Sequence, residues 1–328
     1  MLEISDLYKS YGDKPVLRGV DLRVEPGEIL GLIGSNGAGK TTIISIAAGL
    51  RTCDSGHVTV GAGREADVDV LRNPRQAARF IGLAPQDLGI YPMLTAEENL
   101  AVFGELAGLT PRSAKTRARE VAETLGLEPV LDAVASTLSG GQARRLHTGM
   151  ALMHRPPVLF LDEPTVGADV AARRAILDVV RSLAEEGAAI VYTTHYLSEI
   201  VDLNADVAIL NEGSIAIEGS VRSVLAGHAR PTVAIVTAGA SAELAGWTVT
   251  ADDSESSNSR WRPEEDLLAA HTPTDLIAAA LNHLPKGTRL VGIEIAPPTL
   301  ESAFLDITGQ AIALEDAKRE EEKDVVLA

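Results

Sequence analysis

The sequence predicts an α/β fold followed by a smaller α+β unit, and three observations predict it. Short apolar runs bounded by turn residues alternate with helical stretches through the first two thirds of the chain, the order that builds a sheet covered by helices. A glycine-rich turn, Gly34-Ser35-Asn36-Gly37-Ala38-Gly39-Lys40-Thr41, joins an apolar run to a helical one. Beyond about Gly227 the texture changes to a new strand and helix pattern over roughly 80 residues, a size that can hold its own core.

Taken in order, residues 2–6, 16–24 and 29–33 read as strands, with Gly12-Asp13 and Pro26-Gly27 as turns. A helix opens near Lys40, carries Ile43, Ile44, Ile46 and Ala47, and stops near Gly49. From 95 to 134 the pattern is helical. Thr95-Ala96-Glu97-Glu98 has the form of a capping box, and 114–125 carries Glu, Arg and Lys on one face. The apolar run 158–161, bounded by Pro157 and Asp162, has the look of a strand buried on both faces. A helix over 171–186 follows, then strands over 188–194 and 207–210. In the C-terminal unit 232–237 reads as a strand, 252–259 as a polar loop, 272–284 as a helix and 290–295 as a strand. Pro297-Pro298 opens a last helix to about Leu305. The expected domains are 1–227, with a helical part at about 87–155, and 228–309. Residues 310–328 are expected to be a flexible charged tail.

Composition narrows the function classes. Hydrophobic residues make up 45% and charged ones 23%, as in an ordinary folded protein. A net charge of −17 argues against binding along a nucleic-acid backbone, which needs clustered Lys and Arg, so nucleic acid is not an expected partner. That charge leaves room for one anionic ligand held by backbone amides. The single cysteine, Cys53, excludes an internal disulfide and a multi-cysteine metal cluster, in keeping with a reducing compartment. No run of about 18 apolar residues occurs, and the N-terminus opens on a strand pattern rather than a leader. The chain is expected not to span a bilayer and to stay where it is made.

Three motifs carry chemistry. Gly34 to Thr41 satisfies the P-loop pattern, in which glycines turn N–H groups inward to cradle phosphate oxygens at a helix N-terminus. Lys40 adds a point charge for the outer phosphates, and Thr41 a hydroxyl for Mg²⁺. The second motif, Val158-Leu159-Phe160-Leu161-Asp162-Glu163, delivers two carboxylates to the carboxyl edge of a parallel sheet. Asp162 is placed to hold Mg²⁺, directly or through water, and Glu163 to polarise the attacking water. The third, Leu138-Ser139-Gly140-Gly141-Gln142, makes a second anion-binding helix terminus. One nucleotide does not need two cradles on one chain, so this one is expected to face a phosphate held by another copy.

These three motifs, in this order and spacing, closely resemble the nucleotide-binding subunits of ABC transporters over about residues 1–227. The resemblance implies a P-loop NTPase core with a mixed sheet and a helical subdomain, bound ATP and Mg²⁺, and ATP hydrolysis. It implies that Gly34, Ser35, Asn36, Gly37, Ala38, Gly39, Lys40, Thr41 and Thr42 hold ATP and that Tyr11 stacks on adenine. Gln86 would contact Mg²⁺ and water and link the site to a transmembrane partner, His195 would touch the γ-phosphate beside Glu163, and Asp169 would communicate across a dimer. Ser35 replaces a frequent proline, Thr41-Thr42 replaces Ser-Thr, and Gly167-Ala168-Asp169-Val170 departs from the usual Gly-Leu-Asp-Pro.

The segment 297–309, Pro-Pro-Thr-Leu-Glu-Ser-Ala-Phe-Leu-Asp-Ile-Thr-Gly, also resembles the closing segment of bacterial exporter ATPases of the daunorubicin-resistance type. The second cradle at Ser139–Gln142, with the ABC resemblance, implies a head-to-tail dimer, of two copies or with a related subunit, and the exporter resemblance implies that a small domain follows the ATPase core. The permease would be a separate chain, and the ATPase would be held by it on the cytoplasmic side of the membrane. Export of drugs, antibiotics or other amphipathic compounds is the function it implies. An importer ATPase, a non-transport ABC ATPase and an ATP-sensing module stay open at this point.

Overall fold

The computed structural model describes residues 1–61, 67–229, 231–238, 246–253, 258–263, 272–284 and 288–309. Strand β1 (Leu2–Tyr11) buries Leu2, Ile4 and Leu7 and leaves the residues between them more exposed, the alternation of a strand with one face on a core. It pairs antiparallel with β2 (Lys14–Val24) and β4 (Ser55–Val60), and β5 (Val68–Asp69) completes a four-stranded sheet ordered β2-β1-β4-β5.

Strands β3 (Ile29–Gly34), β7 (Val158–Asp162) and β8 (Ala189–Thr193) are buried along their whole length, as strands inside a parallel sheet must be. With β6 (Ile81–Ala84), β9 (Asp206–Asn211) and β10 (Ser214–Ser220) they form a six-stranded sheet ordered β10-β9-β3-β8-β7-β6. All neighbours run parallel except β9 and β10, so the sheet is mixed. Because β3, β7 and β8 run the same way, Gly34, Asp162 and Thr193 end on one edge, and the register sets Asp162 opposite Thr193. One apolar core joins the two sheets through Leu2, Val20, Leu30, Ile43, Ile46, Val58 and Phe160.

Helix α1 (Lys40–Ala47) and the short α2 (Pro74–Ala77) precede three longer helices, α3 (Ala96–Leu106), α4 (Pro111–Thr124) and α5 (Gly140–Ala151). The capping box expected at Thr95 is present, with Glu98 N–H donating to Thr95 Oγ1 and Thr95 N–H to Glu98 Oε2. Ser139 and Gln142 make the same box at the start of α5. Helices α6 (Val170–Glu185) and α7 (Leu197–Asp202) follow β7 and β8, and α8 (Val221–His228) follows β10. Helix α6 buries Ala172, Ile176, Val179 and Val180 on one stripe, which holds it to the sheet.

Contacts divide the chain into two units, the second being Leu225–Ile307. Its strands, β11 (Thr232–Ala238), β12 (Trp247–Asp253), β13 (Asn258–Pro263) and β14 (Arg289–Ala296), form an antiparallel sheet ordered β12-β13-β11-β14. Val233, Ile235, Trp247 and Trp261 meet Leu276 and Ala280 of the helix Pro273–His283, and Trp261 Nε1 donates to Thr237 Oγ1 at 3.0 Å. The expected polar loop over 252–259 is corrected at both ends, since 252–253 close β12 and 258–259 open β13. Asp252 and Asp253 masked the strand pattern, because aspartate is depleted in strands. Residues 254–257 lie outside the described ones, as does the expected tail 310–328. The last helix starts at Leu300 rather than at the prolines, with Ser302 N–H donating to Thr299 Oγ1 at 3.3 Å as its cap.

His147 of α5 is buried, and burial, helped by the nearby Arg144 charge, pushes its imidazole down to about 4. The unfolded chain therefore binds a proton that the folded chain refuses, and stability from this group is complete above about pH 6.5 and lost as pH falls toward 4. Over that window the loss amounts to roughly 3 kcal/mol. His147→Leu is expected to flatten this acid limb; urea midpoints that fall equally steeply with pH in both proteins would contradict the assignment.

Candidate nucleotide site

Two glycines let the turn after β3 form. Gly37 and Gly39 hold φ of +82° and +116°, a backbone region that L side chains rarely adopt, and a Cβ on Gly39 would meet Leu17 Cδ2 at 2.8 Å. The chain then enters α1, whose first residue is Lys40. Lys40 Nζ donates to Gly34 O at 2.6 Å and to Ser35 O at 3.3 Å, so the ammonium is folded back over the loop. Burial lowers the Lys40 pKa, and the Glu163 and Asp162 carboxylates oppose that shift.

A cavity of about 700 Å³ opens over this turn. It is lined by Tyr11, Asn36, Gly37, Gly39, Lys40, Thr41, Thr42, Gln86, Glu163 and His195, together with Val16, Val166 and Tyr196. Its size suits a small ligand. Thr41 Oγ1 lies 3.3 Å from Asp162 Oδ2, across a separation of 121 residues. Gln86 Nε2 donates to Glu163 Oε2 at 2.7 Å, and His195 Nε2 contacts the other oxygen, Oε1. Tyr11 is 42% exposed, with Arg51 donating to its hydroxyl at 3.1 Å and Lys9 lying 5.4 Å from its ring centre.

Two residues that the sequence reading did not single out organise this arrangement. Thr193 Oγ1 donates to Asp162 Oδ1 at 2.5 Å and accepts from Glu163 N–H at 3.0 Å. One hydroxyl thus pins both carboxylate-bearing residues. Arg144 donates to the Gln86 carbonyl at 2.6 Å, tying the Gln86 turn to α5. The pattern Thr193-Thr194-His195 at a strand end was the available signal for the first, and Arg144 beside the glycine pair for the second.

Ser139, Gly140, Gly141, Gln142 and Asp169 do not line the cavity. Ser139 caps α5, and Asp169 caps α6 through Ala172 N–H at 2.7 Å. The two turns lie side by side, since a Cβ on Gly140 would sit 3.4 Å from Gly167 O. Gly34, Ser35 and Ala38 form the turn beneath the cavity rather than its lining.

Residues 17–166 match the family described as ABC transporter. Over 317 residues the chain is 36% identical to the linearmycin resistance ATP-binding protein LnrL of Bacillus subtilis (strain 168), which covers 95% of this chain and 99% of that one. The chain belongs to the ABC transporter ATPase family.

This ABC ATPase is also 33% identical to the daunorubicin resistance ATP-binding protein DrrA2 of Streptomyces coeruleorubidus, over 94% of this chain and 95% of that one. The Nod factor export ATP-binding protein I of Rhizobium etli is 38% identical over 66% of this chain and 67% of its own. Among solved structures, an ATP-binding subunit of an ABC transporter superposes with TM-score 0.62 at 28% identity, covering 69% of this chain and 92% of that one. A dimeric ATP-binding cassette in a post-hydrolysis state, bound to ADP and Pi, superposes with TM-score 0.60 at 26% identity, covering 68% and 99%. The chain is an ABC ATPase that binds ATP.

The Thr193 clamp yields a direct test. Thr193→Val keeps the side-chain shape but strips a partner from Asp162 and from Glu163 N–H, at a cost of roughly 1–3 kcal/mol in stability. A thermal melt is expected to show that loss, together with slower phosphate release; a melt and a rate matching the parent would remove Thr193 from the account.

Proposed function

We propose that this chain powers an exporter of drugs, antibiotics or other amphipathic compounds, as half of a head-to-tail pair bound to a separate permease. The observation that carries this reading is a division. Lys40, Thr41, Gln86, Glu163 and His195 converge on one cavity, while the Ser139–Gln142 turn stands outside it. A second copy, placed head to tail, would bring its own Ser139 turn to the first copy's cavity. The resistance and export named for the relatives support the direction of transport. Among the described residues no helix is long and apolar enough to cross a membrane, which supports a pore on another chain.

In this reading the N–H groups of 34–42 and the Lys40 ammonium bind the phosphates, and Tyr11 meets the base. Among the described residues no three of His, Cys, Asp and Glu come together as a ready metal cage. Thr41, Asp162 and Gln86 are a donor set of another kind, oxygen ligands few enough to suit Mg²⁺ shared with phosphate. Those three would hold Mg²⁺, which when bound neutralises charge on the phosphate oxygens. Glu163 takes the proton of the attacking water, held in place by Gln86 and His195. His195 bridges Glu163 to the terminal phosphate. Asp169 reports across the pair, and the helical part relays closure through Gln86, whose carbonyl Arg144 holds.

Lys40→Ala is expected to weaken ATP binding at least tenfold, read by equilibrium binding. Glu163→Gln should bind ATP normally and lose phosphate release by on the order of 100-fold or more. Unchanged affinity in the first, or parental turnover in the second, would overturn the assigned role.

A further inference from the structure

Glu199 of α7 is 1% exposed, and no step described so far uses it. A carboxylate this deeply buried persists only when its lone pairs are met. Oε1 accepts from Thr165 Oγ1 at 2.7 Å and has Arg173 Nε at 3.4 Å. Oε2 accepts from Thr194 Oγ1 at 2.7 Å and from the Tyr192 hydroxyl at 2.9 Å. These donors come from different segments. Thr165 lies two residues after Glu163, Thr194 immediately precedes His195, and Arg173 belongs to the first turns of α6.

The network continues on the other side of His195. Thr194 Oγ1 also accepts from Tyr196 N–H at 2.9 Å, and the Arg173 guanidinium lies 4.4 Å from the Tyr196 ring centre. His195 is therefore flanked on both sides by residues that Glu199 holds, directly or through Arg173. The same carboxylate holds the turn that leaves Glu163 for the cap at Asp169. A fixed charge in a dry interior holds such donors more rigidly than neutral partners would.

We propose that Glu199 is a positioning residue that sets the contact between Glu163 and His195, by fastening the segments that carry them to one buried carboxylate. A displacement of the 165–173 segment then reaches His195 through Glu199. This rests on the reading of Glu163 and His195 as the hydrolytic pair. Loss of the charge misplaces the pair without touching the phosphate cradle, and misplacement on the scale of 1 Å costs about 10²-fold in rate.

The experiment compares Glu199→Gln and Glu199→Asp with the parent, Glu163→Gln and His195→Ala, using ATP·Mg²⁺ and reading kcat, KM and single-turnover phosphate release. Glu199→Gln is expected to lower kcat by about 10- to 100-fold with KM within about threefold. Glu199→Asp, one methylene short of its donors, is not expected to rescue it. In the His195→Ala background the same Glu199→Gln change should slow single turnover by less than about threefold, because its route runs through that histidine. A folded Glu199→Gln with kcat within threefold of the parent overturns the proposal, as do equal losses with and without His195. If Glu199→Gln shows no cooperative melt, Thr165→Val and Thr194→Val are read against the same outcomes. Parental turnover in Glu163→Gln would instead sink the catalytic reading itself, whatever Glu199 does.

Discussion

The backbone at Glu163 is the constraint around which the nucleotide end of this molecule is built. Strand β7 ends at Asp162, and the next residue takes φ of +52°, a left-handed conformation that costs a non-glycine residue on the order of 1 kcal/mol or more. That turn points two adjacent carboxylates into one site, where a continued strand would send them to opposite faces. It holds because the neighbouring strand supplies both an anchor for its N–H, the Thr193 carbonyl at 3.1 Å, and a hydroxyl shared with Asp162. The parallel register of β7 and β8 is what brings Thr193 there. Lys40 and Thr41 then reach the same edge from β3, on the far side of β8.

The second constraint is one of supply. The capping box at Ser139 satisfies the N–H of Gln142 and that of Ser139 itself, leaving the N–H groups of Gly140 and Gly141 outside the box in the first turn of α5. Glycine at 141 follows from packing, since a Cβ there would meet Ala172 Cβ at 2.9 Å. The Ser139–Gln142 turn is thus fastened to the start of α6, beside the turn that follows Glu163. In the proposed pair, a second copy's phosphate at this turn would press on the segment that Glu199 holds.

What the sequence disclosed and what it hid divide by range. The P-loop, the Asp162-Glu163 strand end and the Ser139–Gln142 box are contiguous, and their backbone conformations follow from glycines, a lysine and caps a few residues apart. Thr193 was only part of a strand end, because its role depends on a register with Asp162 that no local pattern encodes. Glu199 likewise lies in the stretch between the expected strands 188–194 and 207–210, and its role emerges only once α6, β7 and β8 are folded against it. Among the elements, β3, β7 and β8 were legible as apolar runs. Strand β6 is four residues with Gly82 inside it, and a Cβ there would meet Ala151 O at 2.5 Å, so packing rather than pattern explains its sequence. Strand β10 is half-exposed, and its polar face weakened the alternation.

In the proposed pair, each ATP site is completed by the Ser139 turn of an opposing copy. Sedimentation of the Glu163→Gln protein with ATP·Mg²⁺, with and without a further Ser139→Arg change, tests it most directly. The expected result is an ATP-dependent dimer that Ser139→Arg abolishes while ATP affinity stays within about threefold, because Ser139 does not line its own chain's cavity. A dimer that survives Ser139→Arg, or an ATP affinity that falls with it as far as Lys40→Ala takes it, would contradict the account.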